Sequence, residues 1–292
     1  MTQRGFLLWK GQGSDQAIYA ARRDFDQEIG GARRVSYFAT SRGIAAVVKP
    51  GDHGILTAWR GADDDSRIWT ATAHFDTSSW SDQSNPADGP RTDDRPALGV
   101  VGDRVFMAWR GTGPDEMIWY SELGPGGWTP QRLAGNGTAS STHGPALAGH
   151  DGRLFLAWKG SGGNEQLYWC TYDGSSWTDP QPFAGGSTHG PALASSPGGL
   201  VMAWKGSGGD DQLWRATYGG GSWSPQQPAV GRSSHGPALG RVDNRVVMVW
   251  KGAGADERLW WSWDGFRSQQ AVHDGYTTSE TPAFVAVEFY SL

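Results

Sequence analysis

The chain has 292 residues, a net charge of −5 with no basic block, 44 glycines, 16 prolines, 17 tryptophans and one cysteine. That length supports a sizeable core. The lack of a cationic patch argues against nucleic acid as a partner, and no apolar run is long enough to insert into a membrane. The opening "MTQRGFLLWK" has no charged-then-apolar leader, which predicts a cytoplasmic protein or one released without a signal peptide. Cys170 has no second cysteine to pair with and reads as a small buried hydrophobe inside a strand.

Taken in chain order, "FLLWKG" (6–11) and "AIYAARRD" (17–24) predict two strands, followed by "FDQEIGGARRVSYFAT" (25–40) without a clear turn signal. The same tryptophan followed by a cation and glycine then returns at Trp59, Trp109, Trp158, Trp204 and Trp250, 46 to 50 residues apart from Trp9 onward. A period in that window signals a repeat architecture. In the fourth unit "HGPALA" (143–148), "RLFLAWKG" (153–160), "QLYWCTYD" (166–173) and "SWTDPQPF" (176–183) read as four strands, with Gly, Asp and Asn between them. A second aromatic follows in most units, at Trp80, Trp128, Trp177, Trp223 and Phe266. Apolar residues occupy both faces of the strands, as a sheet lying between two others requires, and helical periodicity is absent.

These features predict an all-β chain forming one domain over 1–292, a six-bladed β-propeller of four-stranded antiparallel blades. The first unit lacks its opening strand, and "TPAFVAVEFY" (281–290) supplies it from the other end, so the C-terminal strand should pair with the N-terminal strands and close the ring. An open solenoid would instead show capping repeats.

Antiparallel order places the loop before each first strand and the turn between the second and third strands on one face. There the residue after the tryptophan is always a cation: Lys10, Arg60, Arg110, Lys159, Lys205 and Lys251. Six residues after the tryptophan stand Asp15, Asp65, Asp115, Asn164, Asp210 and Asp256, and the next residue is acidic at Glu116, Glu165, Asp211 and Glu257. Ten residues after it is an aromatic: Tyr19, Trp69, Trp119, Tyr168, Trp214 and Trp260. Before the first strand stand Arg42, Asp94, His143, His189, His235 and Glu280. A cation, a carboxylate and an aromatic wall suit a sugar, whose hydroxyls take charge-assisted hydrogen bonds while its C–H face stacks on the ring. Repeating a weak notch would add avidity on a glycan-coated surface. Asp and Asn also serve turns by bonding their own backbone, and a lysine–aspartate strap across each hairpin is the structural alternative.

The "PALA…WKG…D..lyW…DG..W" unit, with Trp158, Lys159, Gly160 and the Asp173–Gly174–Trp177 turn, resembles the repeats of bacterial β-propeller lectins, fucose-binding and tachylectin-like ones among them. That resemblance implies shallow pockets between blades for fucose, galactose or related terminal sugars, without metal or other cofactor, in a monomer or an oligomer. The predicted ligand-binding residues are Arg110, Glu116, Trp119, His143, Lys159, Glu165, Tyr168, His189, Lys205, Asp211, Trp214, His235, Lys251, Glu257 and Trp260, with the first unit's site altered or lost. Two other classes stand beside this one. His143, His189, His235, Asp94 and Glu280 could ring the central channel as metal ligands of a lyase or hydrolase, or the face could be a protein-interaction scaffold.

Overall fold

The computed structural model describes residues 2–24, 31–51, 54–74, 79–86, 89–263, 267–273 and 275–289. Six small antiparallel sheets follow one another along the chain and share no strand-to-strand pairing. Blade I joins Ala283–Phe289 to Thr2–Lys10, Ala17–Asp24 and Arg33–Ala39. The C-terminal strand lies antiparallel to the N-terminal one, from Leu8 opposite Ala283 to Thr2 opposite Phe289. The predicted closure is therefore present. The innermost strands touch around the whole ring, Ala283–Phe289 meeting both Ala238–Val242 of blade VI and Ile44–Val48 of blade II.

Blade IV contains Ala146–His150, Arg153–Lys159, Gln166–Tyr172 and Gln181–Gly186. Its outer strand lies further along than the sequence suggests. Trp177 makes a bridge to Tyr172, Thr178 N–H bonds the Thr171 carbonyl, and the strand proper runs from Gln181, with Pro182 tolerated at the sheet edge. Blade II keeps three full strands, its outer position reduced to bridges such as Thr70 with Ser84 and Ala73 with Trp80. Phe266 falls outside the described residues.

Strand alternation explains why both faces are apolar. In blade V, Leu200, Met202 and Trp204 pack against blade IV, while Val201 and Ala203 pack against blade VI. The same parity holds around the ring, so each key tryptophan lies against the preceding blade and the small residue before it faces the next. Where the outer edge of that preceding blade offers an aromatic, the indole meets it: Trp9 with Tyr276 at 4.9 Å, Trp59 with Phe38 at 5.1 Å and Trp204 with Phe183 at 5.0 Å between ring centres.

At the axis the lead-in loops of blades IV, V and VI converge until only backbone fits between them. A Cβ on Gly190 would stand 2.1 Å from the carbonyl oxygen of Gly144, and one on Gly236 2.3 Å from that of Gly190. This is why "HGP" repeats: the glycine lets neighbouring lead-in loops touch. Gly190→Ala should destabilise the ring by about 1–3 kcal/mol, as overpacking does. Gly209→Ala, with nothing within 4 Å of its new methyl, should leave stability unchanged. Denaturant titration of the two variants checks this, and equal midpoints would contradict the axial packing.

Candidate functional site

The face carrying the repeated polar residues has two concentric zones. The outer one is built on the second hairpin of each blade. Cross-strand register places each key tryptophan directly opposite the aromatic ten residues on, Trp158 with Tyr168 and Trp204 with Trp214 for example. The first ring is buried and the second half-exposed.

The Asp or Asn between them fixes that second ring. One side-chain oxygen accepts the backbone N–H two residues on, in all six blades. Its other atom holds the aromatic: Trp69, Trp119, Trp214 and Trp260 donate Nε1–H to Asp65, Asp115, Asp210 and Asp256 at 2.8–2.9 Å. Tyr19 donates to Asp15 at 2.9 Å, and Asn164 donates to the Tyr168 hydroxyl at 3.1 Å. The pairing obeys donor chemistry. An indole can only donate, so every tryptophan has a carboxylate, and the lone asparagine faces a tyrosine that can accept. The adjacent glycine follows too, since a Cβ on Gly206 would lie 2.2 Å from Asp210 Oδ2. Hydrogen bonding by Arg67 holds Asp65 down at about 2.

The cations, expected to face a ligand, are bonded within the blade. Lys10, Lys159, Lys205 and Lys251 are 3–4 % exposed. Each ammonium is spent inside its own blade, joining the hairpin to the lead-in loop. Lys159 donates to Thr142 Oγ1 at 2.8 Å and the Gly160 carbonyl at 3.2 Å. Lys251 donates to Ser234 Oγ at 2.9 Å and to the Gly252 carbonyl at 3.2 Å. Lys10 donates to Ser279 Oγ and the Gly11 and Gly13 carbonyls. Lys205 binds Thr188 Oγ1, the Asp210 carbonyl and, at 3.3 Å, the Asp211 carboxylate. Arg60 bonds Ser41 Oγ and Arg110 bonds Asp93 in the same way. Burial draws the pKa of Lys10, Lys159 and Lys251 downward. The strap is therefore lysine to hydroxyl and carbonyl rather than lysine to aspartate, with Lys205–Asp211 as a partial exception.

The carboxylates after the turn staple blade to blade. Glu116 accepts from Gly162 N–H and Glu165 from Gly208 N–H, each in the next blade. Gln16 does this in blade I, accepting from Asp63 N–H. Asp211 turns back to Lys205, while Glu257 is half-buried beside Lys251 and raises its pKa against the effect of burial.

The inner zone is a polar basin on the axis, a cavity of about 460 Å³ where Arg42, Asp94, His143, His189, His235 and Glu280 meet. The predicted convergence of these residues is present, with His143–His189 and His189–His235 ring centres 5.1 and 5.2 Å apart. They do not form a metal cage: among the described residues no three His, Cys, Asp or Glu side chains are grouped to hold an ion. A buried hydroxyl anchors each loop; Ser141 Oγ, for one, donates to the His143 carbonyl and accepts its N–H. Burial lowers His143 and pushes His189 and His235 down to about 4, so these rings are neutral at pH 7. Burial, then Asp94, raises Glu280 to about 7. The serine and threonine partners of the straps went unassigned in the sequence reading, although the repeated "STHG" and "SSHG" display them.

No family model and no curated protein matches the sequence. Solved structures do. The chain is similar to a six-bladed fungal lectin from Aleuria aurantia, described with a fucose recognition mode, at 14 % identity and TM-score 0.64 over 95 % of each chain. It is similar to AofleA from Arthrobotrys oligospora at 10 % identity and TM-score 0.62, covering 97 % of this chain and 89 % of that one. A protein of unknown function from Dyadobacter fermentans matches at 15 % identity and TM-score 0.64, over 83 % and 87 %. At these identities the likeness is one of fold.

The histidines set an acid limit. Their folded pKa lies below the unfolded value of 6.5, so their contribution is complete above that pH and is lost as pH falls through about 4. Urea unfolding between pH 7 and 4 should show falling stability, with a shallower slope in H189Q/H235Q. Identical slopes would contradict the burial of these rings as neutral groups.

Proposed function

We propose that this protein is a multivalent carbohydrate-binding protein whose sugars stack on the half-exposed aromatics of the outer zone. The observation that carries this is the fixed set of Tyr19, Trp69, Trp119, Tyr168, Trp214 and Trp260. One chain presents six such rings on one face, each held in place by an aspartate or asparagine. A pinned ring loses little conformational freedom when a ligand covers it, and a ring beside a carboxylate offers the apolar face and polar edge that a pyranose needs. The lectin folds with which the chain aligns, one of them described as recognising fucose, support the same reading and make fucose the first sugar to test, with galactose and related terminal sugars next. The narrower kinship with bacterial and tachylectin-like propellers is part of the proposal.

In this reading the contacts are the aromatics with Glu116, Glu165, Asp211 and Glu257 beside them, while the lysines act through the shape of the hairpin. The blades are not equal. Arg67 lies over Trp69 at 4.8 Å and Arg258 over Trp260 at 4.7 Å, so a sugar in blades II and VI must displace or share a cation. In blades IV and V the corresponding Gln166 and Gln212 turn inward to backbone carbonyls, and blade III has Met117 there. Blades III, IV and V are therefore the strongest candidates.

A glycan array followed by calorimetric titration of the winning monosaccharide tests this. Binding to a set sharing one terminal sugar is expected, and Trp214→Ala should remove about one site per chain. Lys205→Met should lower the unfolding midpoint and leave the number of sites unchanged. A blank array, or an unchanged site count in the Trp214 variant, would overturn the assignment.

A further inference from the structure

The axial basin is chemically distinct from the outer zone and breaks the repeat. At the position where blades II, IV, V and VI place Gly43, Gly144, Gly190 and Gly236, blade III has Arg95. Its side chain occupies the axis: it lines the floor of the basin, and its Cδ stands 3.1 Å from where a Cβ on Gly43 would be. Among the described residues its guanidinium makes one hydrogen bond, from Nη2 to the Pro191 carbonyl at 3.0 Å. A guanidinium carries five N–H donors, so most of the fork is left for something else. Ring closure does not require this residue, because glycine serves at the same position in four other blades.

The walls add donors. The lysine straps also reach the histidines. Each ammonium donates to the hydroxyl of Thr142, Thr188 or Ser234, at 2.8, 3.1 and 2.9 Å. Each hydroxyl lies 3.0, 3.0 and 3.2 Å from Nδ1 of the adjoining histidine, and those of Thr188 and Ser234 also face the Gly206 and Gly252 carbonyls at 3.5 and 3.3 Å. Where the hydroxyl gives its proton to Nδ1, the neutral ring carries its own on Nε2 and can donate it into the basin.

The carboxyl groups already have partners, Asp94 on both of its oxygens. Asp94 receives the Arg95 and Gly144 backbone N–H groups, one on each oxygen. Asp93 receives Gly113 N–H and Arg110, and Glu280 lies 3.6 Å from Arg42. Four arginines and three carboxyl groups line the basin, and since Arg60 and Arg110 are committed to their own hairpins, the unspent donors are chiefly those of the Arg95 fork. A cavity with a cationic excess and an unspent guanidinium favours an anion. A planar guanidinium fork favours a carboxylate in particular.

We propose that the axial basin is a carboxylate-binding site, one per chain, in which Arg95 grips the carboxylate and His143, His189 and His235 donate to the rest of the ligand. Its volume of about 460 Å³ lies within the range of about 300–1,000 Å³ of small-molecule sites and admits a molecule as large as a sugar acid. A free organic acid and the acidic terminus of a glycan present the same group. The site does not depend on sugar binding at the outer aromatics.

Calorimetric titration of the full chain with sodium glucuronate, sodium acetate and neutral glucose tests it. Glucuronate should bind once per chain in the millimolar range or tighter, with glucose silent at this site. R95G, which installs the residue of four other blades, and R95Q, which keeps the length without the charge, should each weaken binding about tenfold or more. Both should retain the outer-zone site count. A parallel titration with a glucuronate-terminated oligosaccharide separates the two sources: binding of the free acid alone points to a soluble metabolite, and binding of both points to an acidic glycan end. No binding of either acid to the wild type, or undiminished binding in both Arg95 variants, would overturn the proposal.

Discussion

Each blade is held to the one before it by an indole that water scarcely reaches. Trp59, Trp109, Trp204 and Trp250 are at most 1 % exposed, and each packs on the preceding blade, Trp109 on Ala58, Trp204 on Ala157, Trp250 on Ala203 and Trp59 on Leu8 and Phe38. Because one strand face carries the tryptophan and the other the small residue before it, every blade is both donor and receiver of this contact. A ring is the only arrangement in which no blade lacks a partner. The strand contributed by the far end of the chain completes blade I, and apolar clusters lie on either side of it, from Trp9 to Val249 and from Leu8 to Trp59, as between the other blades.

The cation after each tryptophan depends on that burial. Placed at the end of a buried strand, it must find acceptors, and the turn supplies carbonyls while the lead-in loop supplies a hydroxyl. A buried ammonium left unpaired would be costly, so hairpin and loop are committed to one geometry. Through the hydroxyls that commitment passes to the histidines of the axis, and through the turn it passes to the aspartate that pins each outer aromatic. One buried strap therefore shapes both zones of the face, and neither zone needs the cation to touch a ligand.

How much of the structure is legible in the sequence depends on whether a residue's role is local. The spacing of Trp9, Trp59, Trp109, Trp158, Trp204 and Trp250 is a direct record of blade number, and the ten-residue step to Tyr168 or Trp214 is the arithmetic of a hairpin register. Both were legible. The outer strand of blade IV begins later than "SWTDPQPF" suggests, at Gln181, and runs on to Gly186, because an edge strand is fixed by its pairing with Gln166–Tyr172 rather than by its own pattern. The role of the lysines was hidden for another reason: lysine is usually exposed, and only the tertiary arrangement shows that Thr142, Thr188 and Ser234 wait for it across the blade. Arg95 was invisible in the repeat pattern because it appears only once, at a position held by glycine in four blades and by Thr281 in blade I.

The face thus divides into a repeated outer zone and a unique centre, which is the arrangement expected if repetition serves avidity and the axis serves something else. The central claim is that the pinned aromatics, not the cations, meet the sugar. A crystal soaked with methyl α-L-fucoside, or with the sugar an array selects, tests it most directly. The account predicts pyranose density against Trp119, Tyr168 or Trp214, with Lys159 and Lys205 still bonded to Thr142 and Thr188. Sugar bound to a lysine drawn out of its strap, with the aromatics uncovered, would contradict it.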